Sequence, residues 1–341
     1  MKAVVYHPAQ GLTTQEVPDP RPGDGTILVR VANTGFCGSD HSLIESGLLQ
    51  DGTILGHEAS GTVAGWGRDV SGFTEGARII VRPTFCGRCR DCQAGRPYLC
   101  QAGRRTIGIG DLPGAFAEYI QIYPQMAIPV PAGVDSRNAA MAETFAAALH
   151  GIHTSQSRGG SVLVMGGGPI GLAAVRLLKL LGFAPIVLSE PVPEKRELGQ
   201  RFGADHVIDP LGEDLRRSTR EWTAGIGFET ILECSGTAGN IPDAFELVAS
   251  GGAVCMISIL FGSIPISQPM LMNFKEFRFT GAYSNTHGEN RQCLAWMAAG
   301  EIDARPLISD LIPLEALPRL YRERIHPGKT VKVMLQIGDE F

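Results

Sequence analysis

Long apolar runs are missing from this chain. No stretch of about 18 apolar residues occurs, so no segment reads as a membrane-spanning helix. Blocks of like charge and internal repeats are missing too. Charged residues make up only 19%, and 30 Lys and Arg nearly balance 35 Asp and Glu for a formal charge of −5. That balance gives no electrostatic reason to expect a nucleic acid or an anionic membrane as partner. The opening Met1-Lys2-Ala3-Val4-Val5-Tyr6 lacks the apolar core of a secretion signal and turns polar at once. The expectation is a cytoplasmic protein. In a reducing compartment its eight cysteines read as metal ligands or buried thiols rather than disulfides.

With 341 residues and 44% apolar content, the chain exceeds what one hydrophobic core usually serves, and two domains are expected. The first 145 or so residues are rich in Gly and Pro, with short β-branched runs such as Ile27–Val31 and Ile79–Val81. They read as a mostly β region. Ala139–His153 is Ala-rich and helix-prone. Beyond Ser161 the pattern alternates: strands at Val162–Met165, Ile186–Ser189, Thr230–Glu233 and Ala253–Ile257, with a helix at Ile170–Leu181. Alternation of this kind predicts an α/β region with a doubly wound parallel sheet. After about Phe279 the texture is mixed again, and the tail is expected to return to the first domain.

Two clusters carry metal chemistry. Cys86, Cys89, Cys92 and Cys100 form C-x2-C-x2-C-x7-C in a segment rich in Gly and Arg. Four thiolates this close can converge on one tetrahedral zinc and leave no position for a substrate, so the site is structural and folds a lobe with little core of its own. An iron–sulfur cluster is the chemical rival. The second cluster is Cys37-Gly38-Ser39-Asp40 with Gly56-His57-Glu58. A thiolate, an imidazole and a carboxylate suit a zinc that keeps one position open.

In this second cluster the chain resembles the zinc-dependent medium-chain alcohol dehydrogenases, in their sorbitol, threonine and butanediol dehydrogenase-like branch. Their signature G-H-E-x2-G-x5-G-x2-V is matched by Gly56, His57, Glu58, Gly61, Gly67 and Val70, and the likeness runs to Gly328-Lys329-Thr330-Val331-Lys332-Val333. The resemblance implies a GroES-like catalytic domain over residues 1–145 and 280–341, with a structural zinc lobe at 84–102. It implies a Rossmann domain over 146–279. It implies further that Cys37 and His57 bind a catalytic zinc, that Glu58 lies beside the ion and exchanges onto it, and that a further ligand falls at Glu143, directly or through water. Asp40 matches the residue that orients the histidine ligand. Ser39 is placed to accept the substrate proton. Where several relatives carry a relay histidine this chain has Ser42, next to His41; either His41 takes that task or the proton leaves through water. A bound zinc draws an alcohol's pKa from about 16 towards about 7. That shift is worth on the order of 12 kcal/mol.

Gly166-Gly167-Gly168-Pro169-Ile170-Gly171 contains G-x-G-x-x-G between a strand and a helix, the context in which backbone approaches a pyrophosphate. The residues assigned to it are Gly166, Gly168, Pro169, Ile170 and Gly171. Glu190 ends the next strand, where an acidic group bonds ribose hydroxyls and repels a 2′-phosphate. NAD is therefore expected over NADP, with Lys195 and Arg196 close behind to soften the choice. Cys234, Cys255 and Cys293 match no metal spacing.

The expected activity is hydride transfer between NAD and a secondary alcohol, polyol or amino alcohol, with two zinc ions per chain. The alternatives are an NADP-dependent ketone or aldehyde reductase of the same family, a zinc-free reductase of quinones or alkenes, and a non-catalytic NAD-binding protein. Glu143 in place of a cysteine points to polyols, amino alcohols or vicinal diols. Pocket walls are expected from Ser39–Leu48, Ile107–Leu112 and Tyr283–His287. Relatives are dimers or tetramers, so a homo-oligomer is expected.

Overall fold

The computed structural model describes residues 1–110, 112–260 and 263–341. Asp111, inside one expected pocket wall, lies outside the described residues. The chain divides into two compact units, Met1–Glu143 with Thr286–Phe341, and Thr144–Asn285.

In the first unit the strands β1 (Lys2–His7) and β2 (Gly11–Glu16) form an antiparallel hairpin. A seven-stranded sheet follows from β3 (Ile27–Phe36), β4 (Glu58–Trp66), β5 (Arg78–Val81), β6 (Tyr119–Ile122) and β7 (Ala127–Pro129), completed by two strands from the C-terminal segment. In β3 the apolar Ile27, Val29 and Val31 point inward and Arg30 outward, the period-2 pattern of a strand with one wet face. They pack with Val63, Ile79, Ile120 and Ile122 as one core.

A helix from Ser136 to Ser155 runs three residues further N-terminal than its Ala-rich stretch suggests. Asp135 supplies the reason: its carboxylate accepts the Asn138 backbone N–H at 2.9 Å and satisfies a free donor of the first turn.

The second unit is a six-stranded parallel sheet of β8 (Val162–Met165), β9 (Ile186–Ser189), β10 (His206–Ile208), β11 (Phe228–Glu233), β12 (Val248–Met256) and β13 (Arg278–Gly281). Its order is β10-β9-β8-β11-β12-β13, the 3-2-1-4-5-6 of a doubly wound dinucleotide fold. Strands β8 and β9 are buried along their whole length, which is why they read as continuous apolar runs. The helix after β8 begins at Pro169, one residue before the run that periodicity marks, because proline fits the first helical position. Strand β12 starts five residues before its apolar run; Gly251 and Gly252 hide the extension from any pattern of side chains.

The C-terminal segment contributes β14 (Ile308–Pro313) and β15 (Lys332–Gln336), with β15 pairing antiparallel to β3. No helix among the described residues is long and apolar enough to cross a membrane.

Two candidate metal centres and a nucleotide edge

Strand register builds the open site. Gly35 of β3 faces Glu58 of β4 on one side and Met334 of β15 on the other. The end of β3, the start of β4 and the start of β15 therefore share one edge of the sheet. Cys37 leaves β3 there and caps the helix Gly38–Ser46. His57 enters β4 there, and Lys332 opens β15.

The thiol of Cys37, the imidazole of His57 and the carboxylate of Glu58 place their donor atoms within 4.8 Å of one another. Asp40, fully buried, holds the frame. One carboxylate oxygen accepts the Cys37 N–H at 2.9 Å, and the other lies 3.3 Å from His57 Nδ1. The Asp40 contact with Nδ1 is an ion-pair distance rather than a hydrogen bond, and on the other side of the ring Ser39 Oγ stands 3.3 Å from Nε2. Burial works to lower the His57 pKa, yet Asp40 and Cys37 outweigh it and hold the imidazole well above its ordinary value. The cluster is thus anionic in character and calls for a cation. A divalent ion with one sulfur, one nitrogen and one oxygen donor fits that demand.

Glu58 is 1% exposed and forms a buried ion pair with Lys332, itself 2% exposed. Burial acts to lower the Lys332 pKa, and Glu58, followed by Cys37, carries it upward instead. Gly35 makes room for this pair: a Cβ at that position would collide with the Glu58 carboxylate and come within 2.9 Å of Lys332 Cε. Glu143 is half-buried and is not among the three converging donors; its charge acts on Lys332 and on the buried Arg82. Desolvation brings the Arg82 guanidinium down to about 10, with Glu143 and Glu289 opposing. His41 engages Tyr321, its Nδ1 3.0 Å from the phenol oxygen, and that phenol donates to Glu45 at 2.9 Å.

Sequence reasoning missed Lys332 as part of this centre, and Arg82 as a buried cation acted on by Glu143. Each is a cation next to a run of buried apolar residues, Ile79–Val81 before Arg82 and Val333–Leu335 after Lys332, and that misfit was the available signal.

Cys86, Cys89, Cys92 and Cys100 form the second convergent set. Four sulfurs at ~2.3 Å from one tetrahedral ion stand ~3.8 Å apart. The Cys86–Cys92 and Cys86–Cys100 separations are 4.0 and 3.5 Å. The Cys86 backbone N–H draws the Cys100 thiol down to about 6, while burial pushes Cys92 up to about 12. Only a cation among them lets all four be thiolates together.

At the C-terminal edge of the parallel sheet, Gly166 follows β8 with φ +102° and leads to the helix capped by Gly168, whose first turn holds Pro169, Ile170 and Gly171. A Cβ on Gly166 would lie 2.7 Å from Ser235 Cα, so only glycine fits between the two loops. Glu190 follows β9 and folds over this loop. Its carboxylate accepts the Gly167 N–H at 2.6 Å and the Val192 N–H at 2.9 Å. Arg196 donates to the Glu190 carbonyl at 2.7 Å and lies 3.5 Å from Asp209. Lys195 is half-buried on the helix Pro193–Phe202.

A Cys-His-Glu donor cluster, a four-cysteine cluster and a 3-2-1-4-5-6 sheet with a glycine-rich turn are the features of a zinc-binding dehydrogenase with a nucleotide cofactor. Comparison with known proteins agrees. The alcohol dehydrogenase GroES-like domain matches residues 23–132, and the zinc-binding dehydrogenase domain matches residues 169–299. The chain is 32% identical to the 2-dehydro-3-deoxy-L-galactonate 5-dehydrogenase of Pseudoalteromonas atlantica, covering 94% of each chain. It is 30% identical to the L-threonine 3-dehydrogenase of Rhizobium etli (strain CIAT 652), covering 98% of each. A solved structure described as a zinc-binding dehydrogenase of Sinorhizobium meliloti 1021, with NADP bound, superposes with a TM-score of 0.89 at 32% identity and covers 98% of both chains. The chain belongs to the zinc-dependent medium-chain alcohol dehydrogenase family and is an oxidoreductase.

Proposed function

We propose that this protein transfers a hydride between NAD and the secondary alcohol of a small polyol, amino alcohol or hydroxy acid, using one catalytic and one structural zinc per chain. The observation that carries the reading is the convergence of Cys37, His57 and Glu58 at one sheet edge, with Asp40 on the far nitrogen of the imidazole. Zinc held there supplies a Lewis acid that acidifies a substrate hydroxyl or polarises the matching ketone. Cys37 and His57 would be its fixed ligands. Glu58, shared with Lys332, and Glu143 are the carboxylates that complete or exchange in the shell. Ser39 Oγ receives the substrate's hydroxyl proton, and Asp40 fixes the tautomer of His57.

Two observations favour a substrate that is polar and anionic in part. The relatives named above act, by name, on a sugar acid and on an amino acid, both carboxylates. The same unit of this chain carries Arg104, half-buried, acting on Arg82 and donating to Thr106 Oγ1 at 3.2 Å. NAD is preferred over NADP because the Glu190 carboxylate stands where a 2′-phosphate would need a cation. The NADP-bound relative gives the opposing preference its specific support, with Lys195 and Arg196 as the cations that would serve it.

The test is NADH and NADPH formation across hydroxy acids, amino alcohols, polyols and simple alcohols, with zinc-chelated controls. Zinc-dependent turnover of one polar group with NAD supports the proposal. A preference for long apolar primary alcohols overturns it. The variant Glu190→Ser should shift the ratio of NAD to NADP affinity towards NADP by about 10-fold; an unchanged ratio removes Glu190 from cofactor choice. Assembly as a homodimer or homotetramer is part of the same proposal, and a light-scattering mass of one chain refutes it.

A further inference from the structure

Glu233 ends β11, the fourth strand in the 3-2-1-4-5-6 order, and is fully buried. One of its carboxylate oxygens accepts the Ser235 N–H at 2.9 Å and the Ser235 hydroxyl. The other accepts the Ser258 hydroxyl. Its backbone carbonyl accepts the N–H groups of Ile257 at 2.9 Å and Ser258 at 3.2 Å. Glu233 therefore ties the segment after β11 to the segment after β12. Ser235 extends the tie: its hydroxyl accepts from Thr237 N–H at 3.0 Å and Asn240 Nδ2 at 2.9 Å, and its backbone packs on Gly166 of the glycine-rich turn.

Three donors call for an acceptor-only side chain, which accounts for a carboxylate as a clamp. They do not account for its charge. Among the described residues no lysine, arginine or histidine pairs with Glu233. A buried carboxylate without a counter-ion is costly unless a cation arrives from elsewhere. In a sheet of this order one half of the C-terminal edge takes the adenosine, here at β8 and β9 beside Glu190, and the other half takes the second mononucleotide. Glu233 stands in that other half. The nicotinamide ring carries a positive charge when oxidised and none when reduced.

From this juxtaposition we infer that Glu233 is a positioning residue of the nicotinamide half-site: its carboxylate holds the β11 and β12 loops, and its uncompensated charge favours the oxidised over the reduced cofactor. The inference rests on the reading of this edge as a nicotinamide site.

The experiment measures dissociation constants of NAD+ and NADH for the zinc-loaded full chain by calorimetric titration, in the native protein and in Glu233→Gln, Glu233→Asp and Ser258→Ala. Glu233→Gln should weaken NAD+ by about 10-fold and leave NADH within about twofold. Ser258→Ala and Glu233→Asp keep the charge, so they should move both constants together and preserve their ratio. Equal weakening of both forms in Glu233→Gln reduces Glu233 to a clamp and overturns the inference. Should Glu233→Gln not fold, Glu233→Ser, which also removes the charge, is titrated in its place: selective weakening of NAD+ supports the inference, and equal weakening of both forms overturns it. Failure of the native protein to bind either form is a different result: it sinks the nicotinamide reading itself.

Discussion

The two candidate metal centres of the first unit are built on opposite plans. The four cysteines of the lobe come from one short segment held by a single turn of helix, Arg90–Gln93, and of residues 86–100 only Cys100 is buried. The donors of the open site come from Cys37, His57 and Glu58, set at the ends of paired strands, with Asp40 fully buried behind them. In the lobe nothing but an ion can repay the ordering of the backbone. At the open site the sheet holds the donors whether or not an ion is present, and the ion answers a charge imbalance. On the proposed reading, one centre would use metal to make structure, and the other would use structure to present metal.

The largest test of that contrast is Cys37→Ala. Turnover should fall by roughly a thousandfold or more, because the acidifying ion loses its thiolate. Elemental analysis should show one zinc lost and one kept, with the circular dichroism spectrum unchanged. Loss of both ions together would mean that the two centres are not independent.

The converse variant is Cys100→Ser. It removes the sulfur that the Cys86 N–H draws towards thiolate and opens the tetrahedron. The melting temperature should fall on the order of 10 °C, and proteolysis should begin within 84–102. An unchanged melting temperature, with the lobe still protected, would mean that packing rather than metal holds it.

The contrast also explains what could be read from the chain alone. The convergence of Cys86, Cys89, Cys92 and Cys100 was legible because the four are local and their spacing is their geometry. The buried strands Val162–Met165 and Ile186–Ser189 were legible because both faces are covered and the apolar run is unbroken. Cys37, His57 and Glu58 were found through a family signature, not through pattern; the pairing of Gly35 with Glu58 that joins them is long-range and leaves no local trace. Lys332 was out of reach for the same reason. It lies 274 positions beyond Glu58, at the start of a strand whose register against β3 no periodicity reveals. The choice between NAD and NADP was legible only in part: Glu190 could be located at the end of its strand, but how it and Arg196 are arranged, with Arg196 on the Glu190 carbonyl and beside Asp209, is a matter of tertiary contacts.

Lys332→Met probes the open site from the side that sequence could not see, and its effect should depend on metal. Without zinc, Lys332 is a buried cation paired with Glu58, and breaking a buried pair by removing one partner costs about 3–5 kcal/mol. With zinc in place the ion supplies positive charge beside the same carboxylate, so the cost should shrink to a fraction of that. Urea denaturation of the variant and the native protein, each with and without chelator, measures both numbers. Methionine is close to lysine in volume and leaves no large cavity, so the difference reports charge rather than packing. An equal loss of stability in the two metal states would mean that Glu58 never turns towards the ion. It would then be a structural carboxylate, and Glu143 would be left as the acid that completes the zinc shell.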